Sequence, residues 1–256
     1  MVLKITMIGA GNVAFHLSKA FCNKGHILCQ VYSRNIDNAK IIGAPVNAEP
    51  ISDLDLLDKQ ADIYFICLKD NIIEEVLAHK NLKGTKKVHT SGSMPLSVFG
   101  NDVEESGVFY PFQTFTKNRD IDFKQIPICI ESPNLAFNER LKELASQISD
   151  KVWTIDSETR KFLHLSGVFA NNFVNFLYST ADEILKEKQL PFEMIHELIK
   201  ETAAKAIQLG PSEAQTGPAR RNDHEIRKKH LDLLSSKPEI RKIYELFYEL
   251  ISLKYR

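Results

Sequence analysis

No stretch of the 256 residues approaches the ~18 uninterrupted apolar residues that a membrane-spanning helix needs. The opening MVLKITMIGAGNVA lacks the long apolar core and cleavage site of a signal peptide, so its apolar run reads as a strand. An excess of either charge is also missing. Lys+Arg and Asp+Glu both number 33, which leaves no basic field to attract nucleic acid or an anionic membrane. Cysteine is scarce: Cys22, Cys29, Cys67 and Cys129 are scattered, with no CxxC pair and no metal-ligand spacing. That argues against a metal site and for free thiols in a reducing cytoplasm. Internal repeats and low-complexity segments are absent. What is left is an average globular composition, 43% hydrophobic and 26% charged. It carries enough apolar material for a sizeable core, and its length suits two domains.

Up to about residue 155, β-branched runs alternate with helical patterns. Strands are expected at 4–8, 27–32, 63–68, 87–90, 108–110, 127–130 and 152–155, and helices at 13–23, 52–60, 72–79 and 135–148. Strands separated by helical patterns of about 10–15 residues imply βαβ units, hence an α/β, doubly wound parallel sheet. The run IYFICL is nearly all apolar, as befits a strand covered on both faces. After Asp156, a good N-cap, Phe162, Leu165, Phe169, Phe173, Phe176, Leu177 and Ile184 keep a helical period. A second helix runs from Pro191 to Leu209, where Gly210-Pro211 stops it; a third starts near Asp223 and a fourth after Pro238. The expected division is a nucleotide-binding domain at 1–155 and an all-helical domain at 156–256.

Gly9-Ala10-Gly11-Asn12-Val13-Ala14 sets G-x-G-x-x-A between the first strand and the first helix. Gly9 permits the tight turn, Gly11 has no side chain to block a pyrophosphate, and Ala14 lets the helix pack closely on the strand. The helix N-terminus then offers N–H groups and a positive dipole end to the anion. The second strand ends Tyr32-Ser33-Arg34-Asn35, without the carboxylate that holds the ribose 2′-OH of NAD. Ser33 can donate to a 2′-phosphate, and Arg34 can pair with it. NADP(H) is therefore the expected cofactor, with NAD(H) the alternative. The Leu68–Asp70 backbone, at the carboxyl end of the 63–68 strand, is placed beside the nicotinamide half, and Asp70 reads as a helix cap.

Two more strand ends face the same crevice: His89-Thr90-Ser91-Gly92-Ser93 and Tyr110-Pro111-Phe112-Gln113-Thr114. Ser91, Ser93 and Tyr110 are substrate candidates, although Ser-Gly-Ser is equally a turn signal. On the first long helix His164 and Asn171 share a face with Asn172 close by; a substrate or a neighbouring helix can satisfy them. Arg220 can clamp an anionic tail, and Asp223 caps a helix that carries His230 one heptad on. His164 and His230 are the candidate proton carriers, with Asn172 orienting the reacting carbonyl.

GAGNVA, SGS at 91–93, YPFQTF at 110–115, the 164–172 helix and TGPARRND at 216–223 with His230 carry a resemblance. Over nearly its full length the chain resembles the NADP oxidoreductases with a Rossmann-like domain followed by the domain of unknown function 2520. More distantly it is similar to pyrroline-5-carboxylate reductase, prephenate dehydrogenase and the β-hydroxyacid dehydrogenases. The resemblance implies a C-terminal domain of 6-phosphogluconate dehydrogenase type and a homodimer packed through the helical domains. Two departures stand out. The β-hydroxyacid dehydrogenases carry a lysine four residues before the helix asparagine, where this chain has Gly167 or Val168. Prephenate dehydrogenases, and many of the nearer family, have His-Pro where this chain has Tyr110-Pro111.

The expectation is a cytoplasmic homodimer that transfers hydride between NADP(H) and a C=O or C=N carbon of a small anionic metabolite. A non-catalytic NADP(H)-binding regulatory or scaffold protein is the alternative, and a flavin or deazaflavin reductase a third reading.

Overall fold

The computed structural model describes residues 1–255 and divides the chain into two compact units, Met1–Asn172 and Phe173 onward. In the first unit an eight-stranded sheet is built from β1 (Lys4–Ile8), β2 (Ile27–Tyr32), β3 (Glu49–Ile51), β4 (Ile63–Ile66), β5 (Lys87–His89), β6 (Ser106–Pro111), β7 (Ile128–Glu131) and β8 (Val152–Thr154). The order is β3-β2-β1-β4-β5-β6-β7-β8. The first six are parallel; β7 runs antiparallel to β6, and β8 parallel to β7. The order reverses between β1 and β4, so a crevice opens at their carboxyl ends, where open α/β sheets bind ligands.

Side chains alternate along each strand, and the two faces feed two cores. Ile5, Met7 and Phe65 pack with Leu17, Phe21, Leu141 and Leu144 from α1 (Asn12–Cys22) and α4 (Leu135–Ile148). Ile8, Tyr64 and Ile66 face the other way, onto Ile73 and Leu77 of α3 (Asp70–Leu77) and onto Leu82 and Phe99. Phe21, Phe65 and Phe109 form a triangle with ring centroids 5.1–5.8 Å apart. Each ring buried this way contributes about 1.5–3 kcal/mol, which makes the centre of the sheet a rigid base for the loops at its edge.

One expected helix is not there. Residues 52–60 form only the 3-10 turn Leu54–Leu56. Asp53 accepts a hydrogen bond from the Asp55 amide at 2.9 Å, and Asp58 one from Gln60 at 2.9 Å. These local turns compete with a continuous helix. The crossover helix is instead α2 (Ile36–Gly43), capped by Asn35, and it is followed by the short β3.

After β8 the described chain is helical: α5 (Ser157–Gly167), a π-helical stretch Val168–Phe173, α6 (Val174–Lys186), α7 (His196–Leu209), α8 (Pro211–Ala214), α9 (His224–Leu233) and α10 (Pro238–Lys254). Asp156 caps α5 and Asp223 caps α9. Gly210, at φ +83, ends α7, and Pro211 opens the four-residue α8. No helix of the described residues is long and apolar enough to cross a membrane.

Candidate active site

The phosphate loop joins β1 to α1. Gly9 has φ +117, and a Cβ there would fall 2.3 Å from the Cys67 carbonyl oxygen, so only glycine fits the turn. Gly11 caps α1 with no side-chain hydrogen bond, and a Cβ there would meet nothing within 4 Å. The first intrahelical bond is Phe15 N–H to Gly11, so the amides of Asn12, Val13 and Ala14 precede the ladder at the helix's positive end. A cleft of ≈ 650 Å³ opens above this turn. Gly9, Ala10 and Gly11 line it on one side, Ser33 and Arg34 at the end of β2 on another, and Cys67, Leu68 and Lys69 after β4 on a third. Arg34 is exposed and, among the described residues, pairs with no carboxylate. An open anion cradle, a free guanidinium and the lack of a carboxylate among Ser33, Arg34 and Asn35 at the end of β2 fit an NADP phosphate set. Asn35, Asn38, Glu75 and His79 also line the cleft. No sequence pattern marks them: α2 carries no expected helical period, and Glu75 and His79 are ordinary residues of α3 and the turn after it.

Lys69, not Asp70, is the N-cap of α3, and it makes no side-chain cap bond. The Asp70 carboxylate instead accepts the hydroxyl of Ser93 across the crevice. Ser91 Oγ accepts the amides of Ser93 at 3.1 Å and Met94 at 3.0 Å, which folds the Ser91-Gly92-Ser93 segment into a tight loop at the end of β5. Below it His89 is wholly buried and stacked on Phe99, with ring centroids 5.4 Å apart. Its Nδ1 accepts the Ser91 amide. Burial, reinforced by the charge of Arg160, pushes its pKa down to about 3 and keeps the ring neutral.

Tyr110, in β6, and His164, in α5, share a hydrogen bond of 3.0 Å between the hydroxyl and Nδ1. Gly92 packs on this pair: a Cβ there would fall 2.5 Å from His164 Nδ1 and 2.8 Å from Tyr110 Cζ. Burial raises the Tyr110 phenol to about 12, with Arg160 opposing and Asp70 adding to the shift. A cavity of ≈ 330 Å³ opens on the pair, lined by Phe112, Gln113, Thr114, Gly167, Asn171 and Asn172. Both asparagines lie in the π-helical stretch, an irregularity that often marks functional sites. The structure thus brings Ser93 to Asp70, Tyr110 to His164, and both asparagines to one cavity. Sequence reasoning missed Gly92 as the packing surface, since nothing in SGS tells which ring its Cα faces.

Arg220 and His230 belong to the second unit. Arg220 donates to the Gln215 carbonyl and lies 5.3 Å from the Tyr255 ring centroid. His230 Nδ1 is 2.9 Å from the Tyr244 hydroxyl.

The family described as NADP oxidoreductase coenzyme F420-dependent matches residues 4–89, and the domain of unknown function DUF2520 matches 126–251. No curated protein matches the chain. Among solved structures, a provisionally assigned NADP oxidoreductase of Bacteroides fragilis is 42% identical over 98% of both chains, with a TM-score of 0.92. An imine reductase of Myxococcus stipitatus in complex with NADP+ is similar in fold at 16% identity, covering 97% of this chain and 92% of its own, with a TM-score of 0.71. A 1-pyrroline-5-carboxylate reductase of Streptococcus pyogenes is 13% identical over 98% of each chain, with a TM-score of 0.63. With its phosphate loop, its free Arg34 and this near-complete match, the chain belongs to the family of NADP oxidoreductases in which a nucleotide-binding Rossmann segment precedes a DUF2520 segment.

Proposed function

We propose that this oxidoreductase transfers hydride between the nicotinamide of NADP(H) and a C=O or C=N carbon of a small metabolite, with the Tyr110–His164 pair moving the accompanying proton. The bound cofactor supplies the hydride chemistry; the chain's own residues bind, orient and handle the proton. The observation that carries the reading is the 3.0 Å Tyr110–His164 contact beside the Ser91–Ser93 loop, on the wall of a cavity. A phenol held near 12 by burial is a proton donor at neutral pH, not a base. His164, hydrogen-bonded behind it, is placed to replace the proton that Tyr110 gives up. Asn171 and Asn172 on the same wall can hold a carbonyl or imine substituent, and their amides do so without a charge. The names of the imine and pyrroline-5-carboxylate reductases with this fold favour C=N over C=O. The donors of Arg220 are partly spent on its own loop, so an anionic substrate tail rests on less support than the proton pair.

The test is NADPH oxidation followed at 340 nm against a panel of cyclic imines and small carbonyl compounds. Tyr110→Phe and His164→Gln are each expected to lower kcat by about 10²–10⁴-fold. NADPH affinity should be unchanged in both. Wild-type turnover in either variant sinks the proton assignment and leaves His230 as the carrier to examine. Turnover only with an added deazaflavin points to the third reading, which the coenzyme F420 family description keeps in view.

A homodimer through the helical second unit is part of the same proposal. Leu246, Phe247, Leu250 and Leu253 form an exposed apolar stripe on α10, and Leu198 and Ile207 are exposed on α7. A face of this kind on water marks an association surface. A second copy of the chain is its proposed occupant.

A further inference from the structure

Arg160 heads the fully buried side chains by volume, and its side chain is wholly sealed from solvent. One guanidinium nitrogen pairs with the Glu131 carboxylate at the end of β7. Another donates to the Met94 carbonyl and, at 3.2 Å, to Ser157 Oγ. Ser157 completes the knot. Its amide and hydroxyl both donate to Glu131, at 2.8–3.0 Å, while its Oγ accepts the Leu96 amide at 2.9 Å. Three segments are therefore bolted together at one point: the end of β7, the first turn of α5, and the 94–96 strap that follows the Ser91-Gly92-Ser93 loop.

The position of that point gives it a consequence. His164 lies one helical turn beyond Arg160 on the same face of α5. Gly92 lies just before the strap, and a single added Cβ there would overlap both His164 and Tyr110. The strap and α5 consequently have no slack between them. A small shift of one against the other either separates Tyr110 from His164 or drives Gly92 into them. An ion pair whose arginine is sealed and whose Glu131 is 15% exposed is weak evidence for stability, since apolar residues of similar volume often serve as well. Its geometric effect is more specific.

We propose that Arg160, with Glu131 as its counter-ion, is a positioning residue that holds the Ser91–Ser93 loop against α5 so that Tyr110 and His164 stay paired beside Gly92. The proposal rests on the reading of Tyr110 and His164 as the proton pair. Charge acts in the same place: Arg160 favours the phenolate form of Tyr110 and the neutral form of His89. The ionisable groups around Tyr110 are Asp70 from α3, Cys129 from β7, Arg160 and His164 from α5, with His89 in the neighbouring strand.

The experiment uses the full chain with ¹⁵N-labelled histidine. The imidazole nitrogen shifts of His164 report its hydrogen bond to Tyr110, and thermal unfolding and NADPH titration are run in parallel. Three variants are compared: Tyr110→Phe, Arg160→Lys, and the double substitution Arg160→Met with Glu131→Leu. Tyr110→Phe is expected to move the His164 signal. The double variant and Arg160→Lys should move it in the same direction while the protein remains folded and its NADPH affinity stays within about twofold of wild type. Arg160→Lys keeps the charge but cannot span Glu131 and Met94 together, so it keeps the test open if the double variant does not fold. A His164 signal that moves in Tyr110→Phe but stays put in either folded Arg160 variant overturns this inference alone. A signal unmoved in Tyr110→Phe overturns the proton-pair reading on which it rests.

Discussion

At Gly9 a methyl group would fall within the Cys67 backbone, at 2.3 Å from its oxygen, while at Gly11, which lines the cleft, it would meet no atom within 4 Å. The two glycines of one motif therefore answer to different constraints. Gly9→Ala forces both a left-handed backbone and a backbone clash, and should destabilise the protein by about 1–3 kcal/mol. Gly11→Ala should melt as wild type but lose NADPH affinity, since its methyl occupies the space over the helix N-terminus. Thermal unfolding and nucleotide titration of the two variants separate the effects; normal NADPH binding by Gly11→Ala would show that the phosphates sit elsewhere. These roles were legible because a G-x-G-x-x-A motif specifies backbone geometry. Asn38, Glu75 and His79 were not legible, because lining a cleft depends on which way a helix turns, and no residue-type pattern marks that.

Among the elements, regular ones of strong period were readable from sequence, and short ones were not. The helix expected at 135–148 is α4 with those bounds, its cap at Asn134 accepting the Phe137 amide at 3.1 Å. The helix expected at 52–60 fails because Asp53 and Asp58 satisfy nearby amides in turns. The helical period that carries Phe169 and Phe173 runs through Val168–Phe173, and it does not distinguish π-helical from α-helical hydrogen bonding there. The end of β5 carries a testable consequence. His89 has a folded pKa near 3 against about 6.5 in an unfolded chain. Above about pH 6.5 the ring is neutral in both states and contributes no pH dependence. Below it the unfolded chain takes a proton that the native state refuses until about pH 3, so stability falls with pH across that window. The slope from this one group is at most about 1.4 kcal/mol per pH unit. Denaturant unfolding at pH 7 and pH 5 should show a smaller loss for His89→Gln than for wild type. Equal losses would mean that His89 is protonated in the folded state.

For the molecule as a whole, the sheet order with its reversal between β1 and β4 fixes where a dinucleotide can lie. The exposed stripe Leu246, Phe247, Leu250 and Leu253 on α10 bears on assembly. Light scattering behind size exclusion should find twice the 29.1 kDa chain mass, and Leu250→Glu should shift the species toward monomer. A monomeric wild type would remove the dimer. Fold and cofactor follow from the sequence because a phosphate loop and a strand–helix alternation are local patterns. The proposed proton pair joins residues 54 positions apart, and only the folded chain shows which histidine meets which tyrosine.

The most direct measurement is thermal unfolding with NADPH, NADH and no nucleotide, in wild type and in Arg34→Ala. A nucleotide at ~100 times its dissociation constant adds ~2.7 kcal/mol, an upward shift of several degrees. NADPH is expected to give that shift in wild type, NADH much less, and Arg34→Ala should reduce the NADPH response toward that of NADH. No shift with either nucleotide would contradict the cofactor cleft itself. Equal shifts with both would contradict its selection through Ser33 and Arg34.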